Sequence, residues 1–163
     1  MRLAGRQMIK LSLLFLLLTI YGCVSVNSVP DSASEISFTQ AVDEMTGWRT
    51  YEKSHTFQDT SYDLVYRAAR GALKNANYEI TKASSEKGAI IGEHGTTWMH
   101  WERVAGIYLK QHEADVQLRI IVKTAVDPTS VPDTTMSVDA DKVLEGMRLY
   151  IDTEKSTEAA GAR

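Results

Sequence analysis

Residue types that could do chemistry are few in this chain and thinly spread. Metal ligands could come from four histidines and two nearby glutamates, which are His55, His94, His100, His112, Glu93 and Glu102. Zinc sites usually have tighter spacings, such as H-E-x-x-H or pairs of cysteines, and the sequence contains neither. It also lacks a G-x-S-x-G turn that would present a nucleophilic serine. We therefore predict no metal site, no cofactor and no enzymatic activity.

The stretch that begins at Trp98 is the best candidate for a binding surface. It contains Trp98, His100, Trp101 and Arg103, and tryptophan and arginine anchor protein interfaces more often than most residues. Two indoles on a strand edge could dock a partner protein or stack on a sugar. Alternatively, one or both indoles fill the core where a helix meets the sheet. The sequence leaves both placements open.

Cys23 is the only cysteine, and it follows a segment with the order of an export signal. Arg2, Arg6 and Lys10 come first, without any acidic residue, and the apolar run 11–20 comes next. This run is too short for a membrane-spanning helix, which needs about 20 apolar residues. The pattern predicts export of the chain.

Residues 20–23, Ile-Tyr-Gly-Cys, resemble the lipobox of bacterial lipoproteins, in which a branched aliphatic residue lies three positions before the cysteine. The resemblance implies that residues 1–22 are a cleaved signal peptide. It also implies a covalent diacylglycerol and an N-acyl lipid on Cys23. The alternative is an ordinary signal peptide that leaves a free thiol at Cys23. An unpaired thiol in an oxidising compartment tends to be oxidised or mispaired, which favours the lipid.

The residue after the cysteine bears on location. In proteobacterial lipoproteins an aspartate there tends to retain the protein in the inner membrane, whereas this chain has Val24. The resemblance thus implies an anchor in the outer membrane, with the body on the periplasmic face. The outer face of the inner membrane and the cell surface are the alternatives.

The net charge of the chain limits the classes of molecule that it can bind. Without residues 1–22 the chain has 15 basic and 21 acidic residues, a net charge of −6. An acidic chain is poorly suited to nucleic acid, which requires concentrated lysine and arginine. We therefore predict no nucleic acid partner. The predicted partners are membrane lipid, through Cys23, and an envelope protein.

Past the cysteine, the sequence predicts one domain of the α+β class. Residues 23–50 carry the lipidated N-terminus and are rich in serine, which predicts a flexible tether. Residues 51–152 form the globular domain, and residues 153–163 form a polar C-terminal tail. Two amphipathic helices and an antiparallel sheet of about four strands predict a two-layer sandwich. In residues 116–123, Val116, Leu118, Ile120 and Val122 alternate with Gln117, Arg119, Ile121 and Lys123, as in a strand with one buried face.

The helix-to-hairpin run Phe57–Ile91 has the clearest local signals. Ser61 can cap the first helix and Asn77 suits a left-handed stop. The run resembles small uncharacterised envelope lipoproteins and the helix-grip modules of the C component of the outer-membrane β-barrel assembly machinery. The resemblance covers 35 of the 163 residues and implies a fold without an activity.

Together these features predict a lipid-anchored, non-enzymatic protein-binding or scaffold module of the cell envelope. The alternative is a small-ligand or glycan binder that uses the concave face between sheet and helices, with residues 98–101 as a lid. A large apolar cavity between sheet and helices would favour the ligand binder. A solid core would favour the protein-binding module.

Overall fold

A computed structural model describes residues 25–95, 102–125 and 134–161 of the chain. The predicted signal peptide, the lipobox with Cys23, and Trp98, His100 and Trp101 lie outside these ranges. The described residues form six strands and two helices, after two short 3-10 turns. These are β1 Asp43–Gly47, β2 Thr50–Phe57, α1 Tyr62–Asn75, β3 Glu79–Ser84, β4 Ala89–His94, β5 Arg103–His112, β6 Asp115–Thr124 and α2 Thr134–Gly161.

The six strands form one antiparallel sheet in the order β1-β2-β6-β5-β4-β3. Helices α1 and α2 pack side by side and cover one face of this sheet. The predicted α+β class, with an antiparallel sheet packed on two helices, is therefore confirmed. The sheet is wider than the four or so strands predicted, in part because β1 arises from residues assigned to the tether.

Helix α1 begins and ends where its sequence signals predict. The Ser61 hydroxyl accepts a hydrogen bond from the Leu64 backbone N–H at 3.4 Å, and Asn77 has a φ of +64°. Alanines dominate the buried face of α1, so α2 can approach closely. A Cβ added at Gly146 of α2 would lie 3.2 Å from the Ala72 Cβ.

The described residues of the core between the helices and the sheet are mainly aliphatic and tightly buried. Among its fully buried members are Val65, Leu73, Ile90, Ile107, Ile120, Val143 and Met147. Four strands, β2, β4, β5 and β6, contribute buried residues to this cluster. We call this side of the sheet the helix face.

The second face of the sheet is also covered. Residues 25–42, here called the belt, lie across it, and Val29 of the belt is only 5% exposed. Together with Val29, five sheet residues form a second apolar cluster, namely Ala89, Ile91, Val104, Tyr108 and Ile121. We call this side the belt face. The prediction of a flexible tether over residues 23–50 is therefore wrong from residue 25 onward, because the belt packs on the sheet and residues 43–47 form β1.

The second helix is longer than its apolar pattern indicates. It runs to Gly161, although Ile151 is its last buried residue, and so includes most of the predicted polar tail. Lys155 helps to hold this extension, since its Nζ donates to the Thr60 hydroxyl at 2.8 Å. Neither described helix has the length and apolar content needed to cross a membrane.

Candidate functional site

Several chain segments meet at one end of the sheet, which we call the hairpin end. The turn between β1 and β2, Trp48–Arg49, lies there, because Thr50 pairs with Lys123 near the end of β6. Arg103 at the start of β5 pairs with both Thr124 and His94. The hairpin end therefore joins the end of β4, the start of β5 and the end of β6.

The candidate surface residues Trp98, His100 and Trp101 belong to the connection from β4 to β5. This connection leaves and rejoins the described structure at the hairpin end, between Gly95 and Glu102. Because the three residues lie outside the described ranges, their assignment to surface or core stays a prediction.

Arg103, the fourth member of the candidate surface, is buried and not surface-exposed. Its side chain is 8% exposed, and its Nη1 lies 2.5 Å from Asp139 Oδ2 on α2. The Tyr78 hydroxyl donates to the same oxygen at 2.8 Å. Burial and the Asp139 charge raise the pKa of Tyr78, which keeps the phenol a neutral donor. Arg103 therefore stabilises the contact between sheet and α2 and does not belong to an exposed docking surface.

The described histidines lie far apart. His94 and His112 occupy opposite ends of the β4–β5 pair, whereas His55 lies on β2 with its Nδ1 3.4 Å from the Arg148 Nη2. Glu93 is engaged by the belt, because its Oε1 accepts the Val26 backbone N–H at 3.0 Å. Over the described ranges, no group of three or more His, Cys, Asp or Glu side chains is placed to hold a metal ion.

Polar side chains of the sheet hold the belt by donating to its backbone carbonyls. The Tyr108 hydroxyl donates to the Pro30 carbonyl at 2.7 Å. Arg119 Nη2 donates to the carbonyls of Ser37 at 2.7 Å and Gln40 at 2.8 Å. An irregular segment needs such partners, since its backbone groups have no strand neighbour to pair with.

A recess of about 410 Å³ lies between the belt and strands β2 and β6. Its wall includes Arg119, whose side chain is 4% exposed and whose Nη1 lies 3.4 Å from Glu52 Oε2. Lys123, also in the wall, donates to the Ser28 carbonyl of the belt. Because both cations are engaged by the belt or by Glu52, we interpret this recess as part of the belt packing.

Trp48 lies at the tip of the hairpin end and is an exposed aromatic residue outside the predicted binding surface. Trp48 is 69% exposed, and the Arg49 guanidinium lies 3.8 Å from the centroid of its ring. The tip is held to the sheet because the Thr124 N–H donates to the Arg49 carbonyl at 3.2 Å. The preceding Gly47 is the turn signal that could have located this tip.

Comparisons with known proteins do not assign the chain to a family. No protein-family model and no curated protein matches the chain. Among solved structures, TTHA0849 from Thermus thermophilus aligns with a TM-score of 0.43 at 8% identity, covering 64% of this chain and 98% of that one. Ara h 8.0201 aligns with a TM-score of 0.42 at 10% identity, covering 66% and 99% respectively. Likeness at this level assigns no function, and the resemblance to envelope lipoproteins stays a prediction.

Proposed function

We propose that this chain is a lipid-anchored lipoprotein that serves as a non-enzymatic protein-binding or scaffold module of the cell envelope. The observation that carries the proposal is the lipobox-like sequence ending at Cys23, directly after an export signal. The anchor is a diacylglycerol and an N-acyl chain on Cys23. Several acyl chains attach a protein far more firmly than one, at about 0.8 kcal/mol per buried methylene. The body would lie on the periplasmic face of the outer membrane.

The position of the belt supports a body held close to the bilayer. Val26, three residues after Cys23, already bonds to Glu93 on the sheet. Three extended residues span at most about 10 Å. An anchor at Cys23 would therefore leave little free chain between lipid and domain, and the hairpin end would lie nearest the membrane.

The packing of the described core supports protein binding over the small-ligand alternative. Ile107, Ile120 and Met147 of the helix face have no exposed surface. A ligand placed among these side chains would have to displace them. A partner protein needs only the outer surface of the domain.

Mass spectrometry of the protein extracted from its native membrane tests the anchor. We expect a chain that begins at Cys23 and carries the mass of the lipid. The matched control, Cys23→Ser, should lose both the lipid and the cleavage after residue 22. An unmodified sulfur at Cys23, or a retained leader in the native protein, would refute the lipoprotein proposal.

Photocrosslinking in intact cells tests the partner. A photoreactive residue at position 98 or 101 should yield a discrete protein adduct. Leu149, which is 69% exposed on α2, provides the control site. If neither position gives an adduct beyond that of the control, the candidate surface does not bind a protein and this part of the proposal fails.

A further inference from the structure

Trp48 and Arg49 lie at the tip of the β1–β2 hairpin and outside the core. A tryptophan that is 69% exposed lies at the end of a two-strand hairpin, with a guanidinium stacked on its ring at 3.8 Å. Arg49 also adopts a φ of +62°, a left-handed conformation that a non-glycine residue occupies at a cost. Such strain persists where the surrounding structure imposes it, and functional sites are among the places where it accumulates.

The tip lies at the same end of the sheet as the start of the folded chain. Val26 bonds to Glu93 near the end of β4, and the Ser28 carbonyl accepts from Lys123 near the end of β6. Strands β4 and β2 are three positions apart in the sheet, which corresponds to about 14 Å at the usual strand spacing. The strand that follows the tip is therefore about 14 Å across the sheet from the strand that holds Val26.

We propose that Trp48 and Arg49 form a second, non-covalent contact with the bilayer, which fixes the orientation of the lipid-anchored domain. This inference rests on the proposed anchor at Cys23. The indole would lie among the lipid carbonyls, where tryptophan is enriched in membrane proteins, with its N–H in the polar layer. The Arg49 guanidinium would donate to lipid phosphate oxygens.

The reach of the chain favours lipid over protein as the occupant of this tip. With at most about 10 Å of chain between Cys23 and Val26, the hairpin end cannot move far from the surface that holds the acyl chains. A single indole and a single arginine bind a bilayer weakly without another anchor. The contact would thus orient the domain and add little to its attachment.

Fluorescence quenching tests the contact. The native lipoprotein is incorporated into vesicles of phosphatidylethanolamine and phosphatidylglycerol whose acyl chains are brominated near the headgroup. Trp98→Phe with Trp101→Phe leaves Trp48 as the single indole. We expect the emission maximum of Trp48 to shift to shorter wavelength when the protein is incorporated into the vesicles. We also expect this emission to be quenched by the brominated lipid. The matched control adds Trp48→Phe and Leu149→Trp to the same background, and its indole should remain unquenched.

A second measurement covers the case in which the double replacement does not fold. The otherwise native lipoprotein and its Trp48→Phe variant are compared in the same vesicles. At equal protein concentration, the native protein should lose a larger absolute amount of emission to brominated lipid than the variant loses, because Trp48 adds its own quenched emission. Equal absolute losses would overturn the membrane contact.

The outcomes separate this inference from the proposed anchor. If Cys23 carries lipid but Trp48 is not quenched, the anchor stands and the membrane contact fails. If Cys23 is unmodified, both fail. A photoreactive residue at position 48 in cells should crosslink to lipid, and a discrete protein adduct in its place would overturn the membrane contact in favour of a protein partner.

Discussion

The two faces of the sheet are buried in different ways. The helix face is covered by two regular helices whose contacts are mainly apolar, with Gly146 of α2 packed against Ala72 of α1 and the buried Arg103–Asp139 ion pair as a polar exception. The belt face is covered by an irregular segment that packs Val26, Val29, Ala33, Ile36 and Phe38 on the sheet and is also held by hydrogen bonds from Tyr108, Arg119 and Lys123. Burial of apolar area dominates on the helix face, whereas the belt face combines a smaller apolar cluster with satisfied backbone carbonyls.

This difference implies a division of roles. Aliphatic burial is non-directional and grows with area, so the helix face should carry most of the free energy of unfolding. Hydrogen bonds contribute less each but depend on geometry, so they fix where the belt lies. Because the belt connects the sheet to Cys23, its path determines which end of the domain would face an attached membrane.

The largest expected effect is a truncation on the helix face. Leu73 of α1 is fully buried, and Leu73→Ala should lower the free energy of unfolding by about 2–5 kcal/mol. Chemical denaturation measures this loss. Leu149→Ala, at an exposed site of α2, is the control and should change stability by no more than about 0.5 kcal/mol. Equal losses at the two sites would mean that the helix face is not the dominant core.

Removing the guanidinium that holds the belt should have a smaller and more local effect. Arg119→Met takes donors away from the carbonyls of Ser37 and Gln40, and we expect a loss of about 1–3 kcal/mol. Limited proteolysis should then cut within the belt while α1 stays protected. The belt is exposed at Ser37 and Gln40, so water can satisfy part of what is lost.

Arg119→Lys distinguishes charge from geometry. An ammonium retains the charge near Glu52 but cannot reproduce the planar fork of donors, so belt protection should be only partly restored. Arg119→Met removes only one member of the pair and leaves the Glu52 carboxylate without it, which adds to the expected loss. If Arg119→Met is as stable as the native protein and equally resistant to protease, Arg119 does not hold the belt and the contrast between the faces fails.

A single neutral hydrogen bond on the belt face should be worth less again. Tyr108→Phe removes the donor to the Pro30 carbonyl but keeps the ring in place, and should cost about 0.5–1.5 kcal/mol by chemical denaturation. Tyr62→Phe is the matched control. It removes a hydroxyl that also donates to a backbone carbonyl, that of Ser85, but in a more exposed position. If Tyr62→Phe lowers the free energy of unfolding more than Tyr108→Phe does, burial does not strengthen the belt contact.

Much of the helix face could be predicted because its signals are local. A cap at Ser61, a stop at Asn77 and an apolar stripe each depend on residues within a few positions of one another. The belt could not be assigned in this way, since polar residues of an irregular segment find their partners far along the chain. The sequence does contain one indication that both faces of the sheet are covered. Ile90-Ile91 in β4 and Ile120-Ile121-Val122 in β6 are apolar on successive positions, as in strands buried on both faces.

The candidate site was harder to predict for the same reason. Arg103 pairs with Asp139, which is distant in sequence, so nothing local distinguishes it from an exposed arginine. Val42, Met45 and Trp48 have near-helical spacing, which locally favours a short helix. Pairing with β2 overrides that weak preference, and the turn after Gly47 places the indole at the hairpin tip.

The smallest predicted effect separates the two faces by pH. His55 lies at the edge of the helix face, where burial and then the Arg148 charge lower the pKa of its imidazole. The His55 imidazole therefore binds a proton more readily in the unfolded chain than in the folded one. Its contribution to the free energy of unfolding is fully present above about pH 6.5 and is lost as the pH falls toward the pKa of the folded state.

Denaturation midpoints measured between about pH 7.5 and 5.5 should show this loss, which spans the range just below the unfolded pKa of histidine. His55→Gln should remove this component of the slope, and Arg148→Met should reduce it. The belt is held mainly by the Arg119 guanidinium, which takes no part in the His55 contact. Protease protection of the belt should therefore be constant over the same interval. If the belt instead becomes sensitive to protease at low pH while the denaturation midpoint stays constant, the pH sensitivity belongs to the belt face and this prediction is wrong.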